Sequence, residues 1–247
     1  DIIPGAIAER PRPVVLICPG GGYTHVSPRE GEPIALQYLA ANIAVVELDY
    51  AVSPARYPIA LFELAALVRW VRENAAELAI DPSRIILSGF SAGGHLAASL
   101  CVYWNRDFLS RGLRCDPAAI QPNGAILCYA VISGDPEIYH GGSLKSLFGP
   151  EYTQEEELLF SLEKQAGPHC PPAFLWHTAG DAAVPVANSL RYAEALSRYK
   201  VPFELHVYPY GAHGISLATP AVGITEAPQT NSLRQWPALA IEWIKGL

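Results

Sequence analysis

The sequence lacks any cluster of basic residues. Its 247 residues include 17 Lys and Arg against 24 Asp and Glu, which gives a formal net charge of −7. A field of this sign repels nucleic acid and anionic membrane surfaces. We therefore expect neither of them as a partner, and neutral or cationic small molecules suit the charge better.

The sequence also lacks a long apolar run. No uninterrupted apolar segment approaches the roughly 20 residues that a membrane-spanning helix needs. The start, from Asp1 to Gly5, contains neither the basic nor the apolar region of a signal peptide. It also lacks an initiator Met, so a removed segment stays open as an alternative. We expect a soluble chain without a membrane span.

Paired cysteines are missing as well. The five cysteines are odd in number, widely spaced and without a C-x-x-C pair, and several of them lie within apolar runs. This pattern indicates buried free thiols rather than a disulfide framework. It favours a reducing compartment, so we expect a cytoplasmic location and keep secretion as the alternative.

Two kinds of hydrophobic segment alternate along the chain. Short apolar runs rich in β-branched residues predict strands buried on both faces, and segments with apolar residues three and four positions apart predict amphipathic helices. The predicted strands cover residues 14–18, 43–48, 84–88, 124–130, 173–177 and 202–208, and the predicted helices cover 32–41, 60–78, 93–104, 186–199 and 232–245. The alternation predicts an α/β fold with a doubly wound, mostly parallel sheet and helices on both faces.

One stretch breaks this alternation. Half of the residues are hydrophobic, so one compact domain over residues 1–247 is the expected organisation. Residues 133–171, however, are rich in Gly, Pro and Glu, with one helical segment near 154–165. We interpret them as an insertion at the sheet edge, either a partial lid or a surface excursion.

A serine lies at the junction of a predicted strand and helix. Residues 89–93 read Gly-Phe-Ser-Ala-Gly, directly after an apolar strand and before a helical segment. A serine on such a sharp turn needs small neighbours, because the cramped backbone leaves no room for larger side chains. The turn would expose the hydroxyl of Ser91 at the carboxyl end of the sheet, as a nucleophile requires.

A serine hydroxyl needs a base and an acid that orients the base. Asp181 and His213 follow the last two predicted strands, where α/β sheets place functional groups. The order Ser, Asp, His favours Ser91, Asp181 and His213 as the catalytic residues. Asp135, after the strand at 124–130, is the alternative acid.

Three other histidines receive lesser roles. His206 lies inside a predicted strand and is expected to be structural. His95 lies in the helix after the serine and is expected to cap or pack. His25 follows a glycine loop that should line the site, so a substrate contact is our hypothesis for it.

A glycine run follows the first strong strand. Residues 19–22 read Pro-Gly-Gly-Gly, and consecutive glycines can direct N–H groups at a developing oxyanion. A phosphate-binding loop is the alternative, but no Walker lysine follows and the dinucleotide-binding spacing is not met. The catalytic residues favour the oxyanion interpretation.

Together these motifs resemble the α/β-hydrolase serine esterases, specifically the acetyl-xylan-esterase-like and hormone-sensitive-lipase-like carboxylesterases. The matching segments are residues 19–22, 49–54, 81–85 and 89–97 and the turns at Asp181 and His213. The resemblance implies that Gly21, Gly22 and Ala92 supply the oxyanion N–H groups and that segment 49–54 is scaffold. The histidine that often opens the family's glycine motif is replaced by Pro19.

The resemblance also implies the reaction. A serine esterase of this kind would act on small acyl esters, above all acetyl esters of sugars or xylo-oligosaccharides, through an acyl-enzyme and without a metal or organic cofactor. The expected partner is therefore a small-molecule ester.

Two other functions use the same fold. They are a prolyl-oligopeptidase-type peptidase, which usually carries a gating domain, and a non-catalytic ligand-binding protein, which usually lacks a catalytic residue. The aromatic residues Tyr23, Tyr103 and Trp104 could form a sugar platform or pack in the core.

Overall fold

The computed structural model describes residues 11–225 and 227–247. These residues form the strands β1 (Arg12–Cys18), β2 (Ala44–Glu47), β3 (Ile80–Phe90), β4 (Gly124–Cys128), β5 (Ala173–Thr178) and β6 (Phe203–Tyr208). They also form the helices α1 (Glu32–Ala40), α2 (Ile59–Glu73), α3 (Ser91–Tyr103), α4 (Asp107–Leu113), α5 (Gly141–Phe148), α6 (Gln154–Phe160), α7 (Ala187–Arg198) and α8 (Trp236–Gly246). The start from Asp1 to Gly5, on which the signal-peptide prediction was based, lies outside the described residues.

The six strands form one parallel sheet in the order β2-β1-β3-β4-β5-β6. The chain runs from β1 outward to β2, then crosses back to β3 and continues outward to β6. This reversal confirms the predicted doubly wound α/β architecture. In such sheets, binding sites form beyond the carboxyl ends of the strands near the point of reversal.

Successive side chains of the central strands point into separate cores on the two faces. In β1, Leu16 belongs to a core that includes residues of α2, α3 and α7, whereas Ile17 belongs to a core that includes residues of α1 and α8. The second core includes Trp236 of α8, which stacks on Trp176 of β5 with ring centroids 5.1 Å apart. Burial on both faces explains why the sequences of β1, β4 and β5 are apolar runs without polar alternation.

One predicted helix ends early. Helix α2 ends at Glu73 rather than at residue 78. The side chain of Asn74 donates a hydrogen bond to a carbonyl of the last helical turn, and the N–H of Ile80 donates to the carbonyl of Ala75. The chain turns here because Ile80 has to enter β3.

The segment at 133–171 is more ordered and more buried than we predicted. It contains α5 as well as α6, and only the second of these was predicted. Phe160 and Leu162 are fully buried, and Phe160 stacks on His95 of α3 at 4.0 Å. Part of this segment therefore belongs to the core that also contains residues of α2 and α3. The organisation of residues 1–247 as one domain stays a prediction.

None of the helices in the described residues is both long and apolar enough to span a bilayer.

Candidate active site

The serine of the Gly-Phe-Ser-Ala-Gly motif lies in a strained turn between β3 and α3. Ser91 has a φ of +53°, in the left-handed region that side chains rarely adopt. A Cβ on Gly89 would collide with the carbonyl of Gly93, and a Cβ on Gly93 would collide with the carbonyl of Cys18. The two glycines are therefore needed because backbone segments approach each other closely around the serine.

Ser91, His213 and Asp181 form a continuous hydrogen-bonded chain. The Oγ of Ser91 lies 2.7 Å from Nε2 of His213, and Nδ1 of His213 lies 2.7 Å from Oδ2 of Asp181. The carboxylate accepts the Nδ1–H, which leaves the Nε2 lone pair free to accept the serine proton. The structure thus brings together the three residues that the sequence predicted, and their catalytic roles stay a prediction.

Asp181 is held as a buried carboxylate. Its Oδ1 accepts the N–H groups of Ala183 and Val184 at 3.0 and 2.9 Å, and Nε2 of His177 lies 3.4 Å from its Oδ2. Burial by itself would raise the pKa of Asp181, but the hydrogen bonds from His177, His213 and Val184 outweigh burial and hold the pKa well below its ordinary value. The group therefore carries a negative charge at neutral pH.

The glycine loop presents backbone N–H groups beside the serine. The N–H of Gly20 donates to Oε2 of Glu30 at 2.7 Å, so it is already occupied. Within the described residues, the N–H groups of Gly21 and Gly22 have no protein acceptor, and both residues line the pocket at positive φ. Ala92 lies in the first turn of α3, where N–H groups lack an acceptor within the helix. The resemblance implied these three N–H groups as oxyanion donors, and that role stays a prediction.

A buried carboxylate that we did not predict connects the loops of the site. Glu30 is 2% exposed and accepts the hydroxyl of Tyr129 at 2.6 Å in addition to the N–H of Gly20. The same hydroxyl accepts the N–H of Ser216 at 3.2 Å, and the Tyr129 ring packs edge-on against His213 at 5.3 Å. No local pattern indicated this role, because a Glu between Arg and Gly is typical of a surface turn.

The open space at Ser91 is a pocket of about 360 Å³. Its lining includes Gly21, Gly22, His25, His140 and His213. The predicted position of His25 at the site is therefore correct, and its contact with substrate stays a hypothesis. His140 was not predicted, because only the fold of the segment at 133–171 brings it to the pocket.

The alternative residues lie elsewhere. Asp135 forms an ion pair with Arg191 of α7 at 2.6 Å, and this contact holds the pKa of Asp135 below its ordinary value. Asp135 is therefore not the acid that orients His213. Tyr23 and Tyr103 are each 2% exposed, so they pack in the core and do not form a sugar platform.

Three of the other residues considered in the sequence analysis, His95, His206 and Trp104, have structural contacts. His95 is buried and packs as expected, and His206 contacts Glu204 on β6. The indole N–H of Trp104 donates to the carbonyl of His169. In the part of the chain that the structure describes, no group of three His, Cys, Asp or Glu side chains is arranged to hold a metal ion.

Comparison with known protein families matches residues 15–217 to the family described as the alpha/beta hydrolase fold. This chain belongs to the alpha/beta hydrolase family. The predicted resemblance to esterases of this family is confirmed by its relatives.

Two curated relatives of this alpha/beta hydrolase have names that refer to xylan. Endo-1,4-beta-xylanase B of Butyrivibrio fibrisolvens is 36% identical over 211 residues, which cover 84% of this chain and 33% of the relative. The acetylxylan esterase of Xylanibacter ruminicola is 29% identical over 206 residues, which cover 81% of this chain and 40% of the relative. The chain thus spans about a third of the length of the first relative and about two fifths of the length of the second.

Solved structures of similar alpha/beta hydrolases cover the chain more fully. The acetyl ester-xyloside bifunctional hydrolase from Caldicellulosiruptor lactoaceticus has a TM-score of 0.84 and 36% identity, covering 96% of this chain and 84% of that one. The carboxylesterase Cest-2923 from Lactobacillus plantarum has a TM-score of 0.84 and 31% identity. The match covers 99% of this chain and 88% of that one.

Proposed function

We propose that this alpha/beta hydrolase is a serine esterase that hydrolyses small acyl esters, above all acetyl esters of sugars. The observation that carries the proposal is the hydrogen-bonded chain from Ser91 through His213 to Asp181, with both distances at 2.7 Å. These distances fit the transfer of the serine proton to the imidazole.

In the first half of the proposed reaction, an acyl-enzyme forms. His213 takes the proton of Ser91, and the serine Oγ attacks the ester carbonyl carbon. The charge that develops on the carbonyl oxygen is stabilised by the N–H groups of Gly21, Gly22 and Ala92. His213 then gives its proton to the oxygen of the departing alcohol, and Asp181 stabilises the imidazolium in between.

In the second half, water releases the acid. His213 deprotonates a water molecule, which attacks the acyl carbon, and the serine Oγ leaves with the proton that His213 returns. Every proton in this cycle moves through one imidazole. The proposed reaction therefore needs neither a metal nor an organic cofactor.

The size of the pocket supports a small acyl group. Its volume of about 360 Å³ lies near the lower end of the range for small-molecule sites, which is roughly 300–1,000 Å³. The similar proteins named for acetylxylan and for acetyl ester-xyloside hydrolysis support acetylated sugars as the substrate class.

The cytoplasmic location that the sequence predicted is also part of this proposal.

The proposal is tested by comparing the hydrolysis of p-nitrophenyl acetate, butyrate and octanoate with that of acetylated xylo-oligosaccharides. We expect the acetate to be the best of the three p-nitrophenyl esters. In the Ser91→Ala variant we expect kcat to fall by about 10⁵- to 10⁶-fold, because the nucleophile is lost. Ser197→Ala, at an exposed position of α7, is the matched control and should retain wild-type rates.

Two outcomes would contradict the proposal. One is a folded wild-type protein that hydrolyses none of these esters, which would leave a peptidase or a non-catalytic binding protein. The other is a Ser91→Ala variant that is as active as Ser197→Ala.

A further inference from the structure

His140 lies at the wall of the pocket, next to the glycine loop. It is the N-cap residue of α5, and its Cε1 lies 3.9 Å from the position that a Cβ on Gly22 would occupy. It lines the same pocket as Ser91 and His213. An ester bound in this pocket therefore lies in a space whose lining includes the His140 ring.

The hydrogen bonds of His140 fix where its proton lies. Nδ1 accepts the backbone N–H of Ser143 at 3.2 Å, so Nδ1 carries no proton. Burial, with a smaller contribution from His213, lowers the pKa of His140 below its ordinary value, so the ring is neutral at neutral pH. The single ring proton is therefore on Nε2, and Nε2 has no acceptor among the described residues. His140 presents an unused N–H donor.

His25, on the glycine loop, has the opposite arrangement. The hydroxyl of Thr24 donates its only proton to the carbonyl of Gly21 at 2.8 Å. Because Nδ1 of His25 lies 3.1 Å from the same hydroxyl oxygen, Nδ1 has to be the donor in that contact. With Nδ1 as the donor, the other ring nitrogen of the imidazole, Nε2, is the acceptor, and it too has no partner in the described part of the chain.

We propose that His140 and His25 form a subsite that recognises hydroxyl groups on the substrate, one as a donor and the other as an acceptor. A hydroxyl both donates and accepts, so a donor and an acceptor in the lining of one pocket match a polyhydroxylated alcohol better than an alkyl alcohol. The subsite rests on the proposed esterase function and gives it a basis for selecting partly acetylated sugars.

The test compares two acetate esters that differ in hydroxyl groups. The substrates are a mono-O-acetylated methyl xyloside, which keeps free hydroxyls, and cyclohexyl acetate, which has none. We expect kcat/KM of the wild type to favour the xyloside. His140→Asn should lower the ratio of the two kcat/KM values by about tenfold, because a site built for a hydroxyl loses its donor. His25→Ala should lower the same ratio.

The Asn variant separates recognition from structure. Asn is a preferred N-cap residue, so it keeps the acceptor for the N–H of Ser143 while its shorter side chain removes the donor at Nε2. His140→Gln, whose amide reaches about as far as Nε2, should recover part of the ratio. His206→Asn on β6, outside the lining of the pocket, makes the same chemical change as a matched control and should leave the ratio as in the wild type.

The outcomes distinguish this inference from the esterase proposal. If the wild type hydrolyses both acetates at similar kcat/KM, or if His140→Asn lowers both values equally, the esterase proposal stands and the subsite is wrong. If the wild type hydrolyses neither ester, the esterase proposal fails and the subsite fails with it.

Discussion

His95 is a residue whose burial should change how the stability of the protein responds to acid. It is 2% exposed, its Nδ1 accepts the hydroxyl of Tyr23 at 2.9 Å, and its Nε2–H donates to the carbonyl of Phe160 at 3.0 Å. Burial lowers the pKa of His95 from 6.5 to about 4, although the Phe160 carbonyl acts in the opposite direction. The ring is therefore neutral in the fold over a pH range in which it is charged in the unfolded chain.

This difference predicts a loss of stability on mild acidification. Between pH 6.5 and about pH 4 the unfolded chain binds a proton at His95 and the folded protein does not. The free energy of unfolding should therefore fall by about 3 kcal/mol over this range because of His95, and no further below it. Denaturant unfolding of the wild type and of His95→Gln at several pH values measures this loss. The variant should lack it, and an equally steep loss in both proteins would contradict the prediction.

Single residues also show what the sequence could predict about the site. Ser91, Asp181 and His213 were predictable because each follows an apolar strand and the three types occur in one order along the chain. Glu30 and His140 were not, because their roles depend on tertiary contacts. Glu30 meets Tyr129 from 99 residues away, and no local pattern contains such a contact.

At the scale of structural elements, Tyr129 joins three loops of the site. It directly follows β4 with a φ of +38°, its hydroxyl donates to Glu30, and the N–H of Ser216 donates to that hydroxyl. Burial, followed by the neighbouring Glu30, raises the pKa of Tyr129 well above its ordinary value, so the phenol keeps its proton. The glycine loop and the loop after β6 are thus held by one side chain.

Removing that hydroxyl should weaken both stability and catalysis. In Tyr129→Phe, Glu30 loses a donor and the N–H of Ser216 loses an acceptor, all in a buried position. We expect the free energy of unfolding to fall by about 1–3 kcal/mol, as for other buried polar groups left without a partner. Denaturant unfolding measures this change, and p-nitrophenyl acetate hydrolysis should show a lower kcat.

A matched control variant tests whether the two effects come from the hydroxyl of Tyr129. Tyr199→Phe, at an exposed position at the end of α7, also removes one phenol hydroxyl and should change neither quantity. If Tyr129→Phe matches that control in stability and kcat, the hydroxyl does not hold the loops together.

The elements also show where prediction from sequence ends. The central strands β1, β4 and β5 were predictable because both of their faces are covered and each is an apolar run. The outer strand β6 contains polar residues and is exposed or half-buried over most of its length, so this reason does not extend to it. Helix α5 was missed because it begins with Gly141 and Gly142, which are poor helix formers. Its position depends instead on the buried side chains of Leu144 and Leu147, and a helix of this length shows too few turns for a clear period.

At the scale of the whole molecule, the cysteines report on how tightly the chain is packed. All five are free thiols, and Cys18, Cys101, Cys128 and Cys170 are buried whereas Cys115 is partly exposed. Burial raises the pKa of Cys18 to about 12, and burial also raises the pKa values of Cys101, Cys128 and Cys170. A raised thiol pKa and lack of access both slow reaction with disulfide reagents.

The native protein should therefore expose one reactive thiol. Titration with 5,5′-dithiobis(2-nitrobenzoic acid) should give about one equivalent for the native protein, assigned to Cys115, and the full five in guanidinium chloride. Cys115→Ser should remove the native equivalent. Rapid reaction of several thiols in the native state would show that the cores open more readily than this packing allows.

The distribution of the proposed catalytic residues along the chain has a consequence for the newly synthesised protein. Ser91 and His213 are separated by 122 residues, and His213 follows β6, which is an outer strand of the sheet and the last of the described strands along the chain. The proposed base therefore reaches Ser91 only when β6 and the loop that follows it are in place. During refolding we expect ester hydrolysis to begin no earlier than the docking of β6, so the onset of activity would time this step.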